Sequence, residues 1–400
     1  MKNIAIIGFG VVGSGVYETI KTNKEILKRN TGEELRVVKV LDIRDFPDHE
    51  EKQIFTKDFN DLLNDESIDI VVETMGGVRF AYDYTKQLLE KGKSVVTSNK
   101  ELVAKHGEEF FKIAKEHNVR YLYEASVGGA IPIIRPIACD VAANDIVEVS
   151  GILNGTTNYI LTKMFLENDS YDNALKTAQE LGYAEKDPTA DVDGIDACRK
   201  ISILMSLVTH RKIDSEKVHT VGIRNLTTED LTYAAALDCK IKLIGCGFVE
   251  NGKVSASVEP MLVPNNSPLS SVEDVFNAAI VKGNMAGTLM FYGRGAGMLP
   301  TASAVVGDVV DIVRNPGYNS AYEWGESAPE NELAYEDIVA KFFVCIKEDQ
   351  LEKAKKEFGD IEIINGVTGI GFVAPKMSIK ELDEKLGAIG GAVSRLRFYR

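Results

Sequence analysis

Long apolar runs are missing from this chain. No stretch reaches the ~20 consecutive apolar residues that a membrane-spanning helix needs, so an α-helical membrane protein is excluded. A basic surplus is missing too. Lys and Arg total 46 against 60 Asp and Glu, a formal net charge of -14. Nucleic-acid backbones demand clustered Lys and Arg, so no nucleic-acid partner is expected. The acidity is spread along the chain and reads as a solubility feature. Cysteine is scarce: Cys139, Cys198, Cys239, Cys246 and Cys345 show no metal-ligand spacing and no disulfide framework. Reduced thiols in a cytoplasmic setting are expected, each a small core residue. The opening Met1-Lys2-Asn3-Ile4-Ala5-Ile6-Ile7 lacks the small-residue cleavage site of a signal peptide. Internal repeats and low-complexity tracts are absent.

What is present is an ordinary globular composition, 44% hydrophobic and 26% charged over 400 residues, enough for two or three domains. Residues 1–140 alternate short Val- and Ile-rich strand patterns (3–7, 36–41, 68–73, 94–97, 120–124) with helical ones (13–30, 82–91, 107–117). That alternation predicts a Rossmann-type, doubly wound parallel sheet, an α/β fold. From about residue 141 to 297 the pattern becomes α+β. An extended run at 146–153 leads into helices at 157–167, 170–181 and 195–208. A hairpin signal, Glu250-Asn251-Gly252, then separates strands 240–248 and 253–261. A strongly apolar helix at 301–314 suggests that segment 298–318 returns to the first domain. Residues 315–331, rich in Gly, Pro, Asn, Ser and Glu, read as a linker. Residues 335–400 follow a βαββαβ order, the ferredoxin-like motif.

The segment Gly8-Phe9-Gly10-Val11-Val12-Gly13 follows the first strand and opens a helix. Gly8 allows the tight turn, Gly10 lets backbone approach a pyrophosphate, and Gly13 lets helix and strand pack closely. At the end of the second strand, Asp42 can accept from the ribose hydroxyls of NAD, whereas Arg44 can pair with the 2′-phosphate of NADP. NADP or NAD is the expected cofactor, with the balance towards NADP.

Two lysines stand out. Lys100, in Thr97-Ser98-Asn99-Lys100, lies just past a parallel strand, at the carboxyl edge where a nicotinamide lies. Lys200 lies in Asp191-Val192-Asp193-Gly194-Ile195-Asp196-Ala197-Cys198-Arg199-Lys200, where Asp196 and Lys200 share a helix face. Taken singly, a lysine after a strand is usually solvated, and an Asp–Lys pair at i, i+4 is usually a surface ion pair. The ordered set says more. It comprises the fingerprint, Thr-Ser-Asn-Lys, Glu124-Ala125-Ser126-Val127-Gly128-Gly129 and Asn154-Gly155-Thr156-Thr157-Asn158-Tyr159. It continues with Gly182-Tyr183-Ala184-Glu185, the Asp191–Lys200 segment and Arg294-Gly295-Ala296-Gly297 through Pro300-Thr301-Ala302. In this order, over residues 1 to about 314, the chain resembles the homoserine dehydrogenase family.

The resemblance implies NAD(P)-dependent interconversion of L-aspartate 4-semialdehyde and L-homoserine, in threonine and methionine biosynthesis. Reduction needs a hydride at the aldehyde carbon and a proton at its oxygen, where a cation or acid is wanted. Lys200 is similar to the family's proton donor and Lys100 to its second catalytic lysine. Glu185 looks like the carboxylate for the substrate ammonium, and Asp196 like the partner that orients Lys200. Asp191, Gly155, Thr156 and Tyr183 would line the pocket. Thr74, Ser98, Lys100 and Gly297 would join the fingerprint and Arg44 in binding the cofactor. The family's structural sodium site matches Glu124 and the carbonyls of Val127, Gly129 and Ile131. A homodimer or homotetramer is implied, with an ACT-like C-terminal domain. Here that domain's first loop reads Lys347-Glu348-Asp349-Gln350, without the Pro-Gly turn of amino-acid-binding ACT domains, so an effector is not implied. No kinase region is expected ahead of residue 1. Another Rossmann dehydrogenase would not explain the paired lysines with Glu185, and a non-catalytic sensor has no need of a proton donor.

Overall fold

The computed structural model describes residues 1–365 and 369–400. The chain forms two compact units. The first comprises Met1–Ile146, Ser202–Glu216 and Gly283–Ala328, and the second Val147–Ile201, Lys217–Lys282 and Pro329–Arg400.

In the first unit, strands β1 (Lys2–Ile7), β2 (Leu35–Leu41), β3 (Phe55–Thr56), β4 (Ile68–Glu73), β5 (Ser94–Thr97) and β6 (Tyr121–Leu122) form one parallel sheet in the order β3-β2-β1-β4-β5-β6. This is the doubly wound order, and it reverses direction between β1 and β4. Ile4, Ile6, Val71, Val72, Val95 and Val96 are buried, as strands covered on both faces require. The helix expected at 13–30 is two, Val11–Thr22 and Lys24–Thr31, broken at Asn23. The helix expected from 107 begins at Lys100, because the Asn99 side chain caps it by accepting from the Leu102 amide at 3.1 Å.

The apolar helix near 300 spans Met298–Arg314 and belongs to this unit. It crosses Val11–Thr22 closely at Gly15, where an added Cβ would stand 2.9 Å from Met298 and 3.1 Å from Ala302. The expected linker is in part core. Trp324 is 3% exposed and packs edge-on against Phe111 and Tyr123, with ring centroids 4.8 and 5.4 Å away. Composition hid this because two buried aromatics, Trp324 and Tyr322, anchor a segment made mostly of turn formers.

In the second unit, strands β7 (Ile146–Ile152), β8 (His219–Thr220), β9 (Cys239–Glu250), β10 (Lys253–Pro264) and β11 (Phe276–Gly283) precede the C-terminal strands. After the segment Gly287–Arg294, which belongs to the first unit, the C-terminal strands are β12 (Val339–Ile346), β13 (Ile363–Asn365), β14 (Ile370–Ser378) and β15 (Ser394–Phe398). They run in the order β11-β7-β9-β10-β15-β12-β14-β13, with β8 on β10. The hairpin β9–β10 turns at Asn251 and Gly252, φ 53° and 75°, the two positive angles that a twist-matched two-residue turn requires. Helices Leu351–Phe358 and Ile379–Ile389 complete the βαββαβ order. The pairing β15-β12-β14-β13 is antiparallel throughout, the ferredoxin-like arrangement. One apolar core runs from Ile152, Ile244 and Met261 through Phe342, Phe372 and Leu382.

Candidate active site

The three glycines of the fingerprint meet three different constraints. Gly8 has φ +89°, a left-handed conformation that disfavours side chains. At Gly10 nothing lies within 4 Å of an added Cβ, so backbone is open to a ligand. At Gly13 that Cβ would stand 1.9 Å from the Gly8 carbonyl oxygen. Gly10 supplies no side-chain cap to helix Val11–Thr22. The first amides of a helix have no partners within it, and a pyrophosphate satisfies that need. These residues therefore fit a dinucleotide. Val11 and Val12 lie in that first turn. The Phe9 ring, by contrast, packs among Tyr17, Phe46, His49 and Phe55, and its amide donates to Asp42 at 2.7 Å.

Asp42 also accepts from the Arg44 amide, Nε and Nη2, each at 2.9 Å. The Arg44 guanidinium beside it holds the Asp42 carboxyl down to about 2. The Arg44 side chain remains 56% exposed while Asp42 is 7% exposed. Thr74 donates its hydroxyl to the Gly8 carbonyl at 2.7 Å and holds the fingerprint turn, rather than presenting that proton to a ligand. Ser98 donates its amide to the Glu73 carbonyl at 3.4 Å, and Lys100 is the first residue of its helix. Gly297, φ +126°, caps helix Met298–Arg314 without a side-chain bond.

Glu124 is 4% exposed, and its carboxylate accepts the amides of Ile133, Ile134 and Arg135 at 2.6 to 2.9 Å. The Glu124 main-chain carbonyl in turn accepts the Val127 amide at 3.3 Å. The carbonyls of Val127, Gly129 and Ile131 accept no turn or loop hydrogen bond among the described residues. Gly129 has φ +56°, and an added Cβ would strike the Gly295 backbone at 2.6 Å. Carbonyl oxygens in a tight loop suit a hard cation.

The second unit carries the other predicted residues. Lys200, 7% exposed, donates from Nζ to the Leu153 carbonyl and to Asp196 Oδ2, both at 2.7 Å. Asn154 donates from Nδ2 to Asp191 Oδ1 at 2.7 Å and to Asp196 Oδ2 at 2.9 Å, joining the two carboxylates. Its Oδ1 caps helix Gly155–Glu167 at the Thr157 amide, 2.9 Å away. In the sequence Asn154 stands out only as a member of the Asn154–Tyr159 motif; both of its roles here need the fold. Gly155 lacks a side chain for packing, since a Cβ there would lie 2.6 Å from the Val275 carbonyl. Thr156 donates to the Tyr183 carbonyl at 2.8 Å, and the Tyr183 ring packs on Tyr159 at 5.1 Å. Glu185 is exposed, and its main-chain carbonyl accepts from Gln179 at 3.0 Å. The structure thus brings Lys200, Asp196 and Asp191 together through Asn154, and leaves Glu185 outside that network.

A model of homoserine dehydrogenase matches residues 132–310, and one of the homoserine dehydrogenase NAD binding domain matches residues 8–124. Homoserine dehydrogenase of Bacillus subtilis (strain 168) is 38% identical over 370 residues, 91% of this chain and 84% of that protein. The chain belongs to the homoserine dehydrogenase family. A crystal structure of a homoserine dehydrogenase from Thiobacillus denitrificans has a TM-score of 0.90 at 33% identity, covering 100% of this chain and 98% of that one. A hyperthermophilic archaeal homoserine dehydrogenase mutant in complex with NADPH has a TM-score of 0.66 at 31% identity, covering 78% of this chain and 97% of that one. Membership of this oxidoreductase family makes the first unit a nicotinamide-cofactor domain. Among the described residues no helix is long and apolar enough to cross a membrane.

Proposed function

We propose that the protein interconverts L-aspartate 4-semialdehyde and L-homoserine with a nicotinamide cofactor, and that Lys200 moves the proton. The observation that carries this reading is the buried Lys200 ammonium, aimed by the Leu153 carbonyl and the Asp196 carboxylate. Two fixed acceptors orient the head group, and the low-dielectric surroundings strengthen its pull on a developing alkoxide. In reduction Lys200 donates to the carbonyl oxygen; in oxidation it takes the hydroxyl proton. Asp196 positions Lys200, and Asn154 positions Asp196 and Asp191. The Glu185 carboxylate is offered to the substrate ammonium, with Asp191, Gly155, Thr156 and Tyr183 lining the pocket. Lys100, on the cofactor unit, is the second catalytic lysine. When bound, the nicotinamide supplies or accepts the hydride.

NADP is the preferred cofactor in this reading. Both oxygens of Asp42 already accept from Arg44 and Phe9, which weakens their claim on ribose hydroxyls, while the exposed Arg44 guanidinium suits a 2′-phosphate. The archaeal NADPH complex supports that choice. A sodium ion held by Glu124 and the main-chain carbonyls of Val127, Gly129 and Ile131 would brace the loop. The C-terminal βαββαβ segment is read as an ACT-like module for homodimer or homotetramer contacts. Gln350 closes its first loop by donating to the Ile389 and Gly391 carbonyls at 2.9 and 3.0 Å. All five cysteines are free thiols, consistent with a cytoplasmic enzyme; four are buried as expected of core residues, whereas Cys139 is exposed.

The test is the initial rate at 340 nm with L-homoserine and NAD or NADP, beside Lys200→Ala. Turnover that collapses in the variant supports the assignment, and the two cofactor rates rank NADP against NAD. Cofactor binding without turnover would refute the dehydrogenase reading and favour a sensor.

A further inference from the structure

Glu73 ends β4, the strand beside the point where the sheet order reverses, and it is 0% exposed. A carboxyl buried at the carboxyl edge of a Rossmann sheet needs a reason, because burial of that charge is costly. Its neighbours supply one. Oε1 accepts the Met75 amide at 2.7 Å, which turns the chain into Met75-Gly76-Gly77. Oε2 accepts the Thr97 hydroxyl at 2.6 Å. The same Thr97 oxygen accepts the Asn99 amide at 2.9 Å, and the Asn99 side chain reaches back to the Gly77 carbonyl at 2.7 Å. The Glu73 carbonyl accepts the Ser98 amide at 3.4 Å. One carboxyl therefore ties the loop after β4 to the turn after β5. Thr74, which holds the Gly8 carbonyl, belongs to the first of these, and Lys100 follows the second.

We propose that Glu73 is a positioning residue of the dehydrogenase, clasping loop 74–77 and turn 97–100 so that the cofactor-facing backbone and Lys100 are held in one geometry. The inference rests on the proposed dehydrogenase reading for the role of Lys100, but not for the clasp on the cofactor loops. The groups that face the carboxyl are the Met75 amide from its own loop, Thr97 and Asn99 from the next strand and turn, and the Tyr121 phenol from β6. Burial pushes the Glu73 carboxyl up to about 7, against the downward pull of Thr97, Met75 and Asn99. Tyr121 is pushed well above the ordinary phenol range by burial and by Glu73, so it stays protonated. Near neutrality the Glu73 carboxyl changes charge, with Lys100 at the end of the turn it holds. As a carboxylate it accepts from Thr97, and the order Asn99 amide, Thr97 hydroxyl, Glu73 oxygen is consistent along its length. As an acid it carries a proton of its own and is a weaker acceptor, so its hold on the Thr97 hydroxyl and the Met75 amide loosens.

The experiment compares wild type, Glu73→Gln and Thr97→Val by cofactor titration at equilibrium and by steady-state kinetics from pH 5.5 to 9. Glutamine keeps the shape and fixes the uncharged state. Valine keeps the strand position and removes the hydroxyl, so it tests the clasp should Glu73→Gln fold poorly. Breaking a buried hydrogen bond of this kind predicts a loss of cofactor affinity of about tenfold or more in each variant, with the KM for homoserine unchanged. Wild-type kcat/KM for the cofactor should fall below pH about 7, a limb that Glu73→Gln abolishes by holding the low-pH value throughout. Cofactor affinity within twofold of wild type in both variants, with the pH limb intact in Glu73→Gln, overturns the proposal, while loss of turnover in Lys200→Ala would leave the dehydrogenase reading standing. A wild type without turnover would sink that reading, and the cofactor titration would still decide for or against the clasp.

Discussion

Replacing Lys200 with methionine keeps the length of the side chain and deletes its charge. The ammonium makes 2.7 Å hydrogen bonds to the Leu153 carbonyl and to Asp196, and the two side chains of the pair are only 9% and 5% exposed. Removing one member of a buried ion pair strands the other, which typically costs about 3–5 kcal/mol. Asp196 keeps its bond from Asn154, so the lower end of that range, about 3 kcal/mol, is expected. Turnover should fall further than stability explains, by about 10²–10⁴-fold, the usual worth of a positioned proton donor. Urea unfolding of the second unit should be followed by far-UV circular dichroism, because the single tryptophan, Trp324, lies in the first unit. The double variant Lys200→Met with Asp196→Asn removes the stranded charge. It should regain part of the lost stability and none of the lost rate. A single variant that unfolds within about 0.5 kcal/mol of wild type would refute the buried-pair argument. A single variant that keeps its rate within about tenfold would place the proton donor elsewhere.

Asn158→Ala should cost about 2–4 kcal/mol in urea unfolding. The Asn158 amide holds the Val272, Asp274 and Phe276 carbonyls at 3.0 to 3.2 Å, and its oxygen accepts from the buried Lys242 at 3.0 Å. Gly13→Ala should abolish cofactor binding in calorimetric titration, because its Cβ would meet the Gly8 carbonyl at 1.9 Å. Arg44→Ala should raise the KM for NADP by about tenfold or more and leave that for NAD nearly unchanged, since only a 2′-phosphate needs the guanidinium; equal effects on both would remove Arg44 from cofactor choice. Burial raises the native Glu73 carboxyl to about 7 and that of Asp308 to about 8. Their contribution to stability is fully present below the ordinary carboxylate range and is lost as pH rises through those values. Trp324 fluorescence should therefore show a falling denaturant midpoint between about pH 5 and 8, and Glu73→Gln should flatten part of that slope.

Much of the fold can be read from local pattern. Short Val- and Ile-rich strands alternating with helices, the glycine fingerprint and the Asn251-Gly252 turn depend on backbone conformation and on burial of neighbours in the chain. They need no knowledge of what lies across the molecule. The order βαββαβ is legible for the same reason. Trp324 shows where this fails: one aromatic finds its pocket over Gly107, far away in the sequence, and turns an apparent linker into core.

The candidate site divides in the same way. Local sequence supplies the residue types, namely two lysines, their carboxylates, and glycines where a phosphate would approach. Their partners come from the fold. It set Asn154 between Asp191 and Asp196, placed the Leu153 carbonyl on Lys200, turned the Glu124 carboxylate onto three amides and buried Glu73 against Thr97. A buried polar atom has to be satisfied by whatever donor or acceptor the fold brings within reach. That partner is usually distant along the chain, so no local pattern announces it.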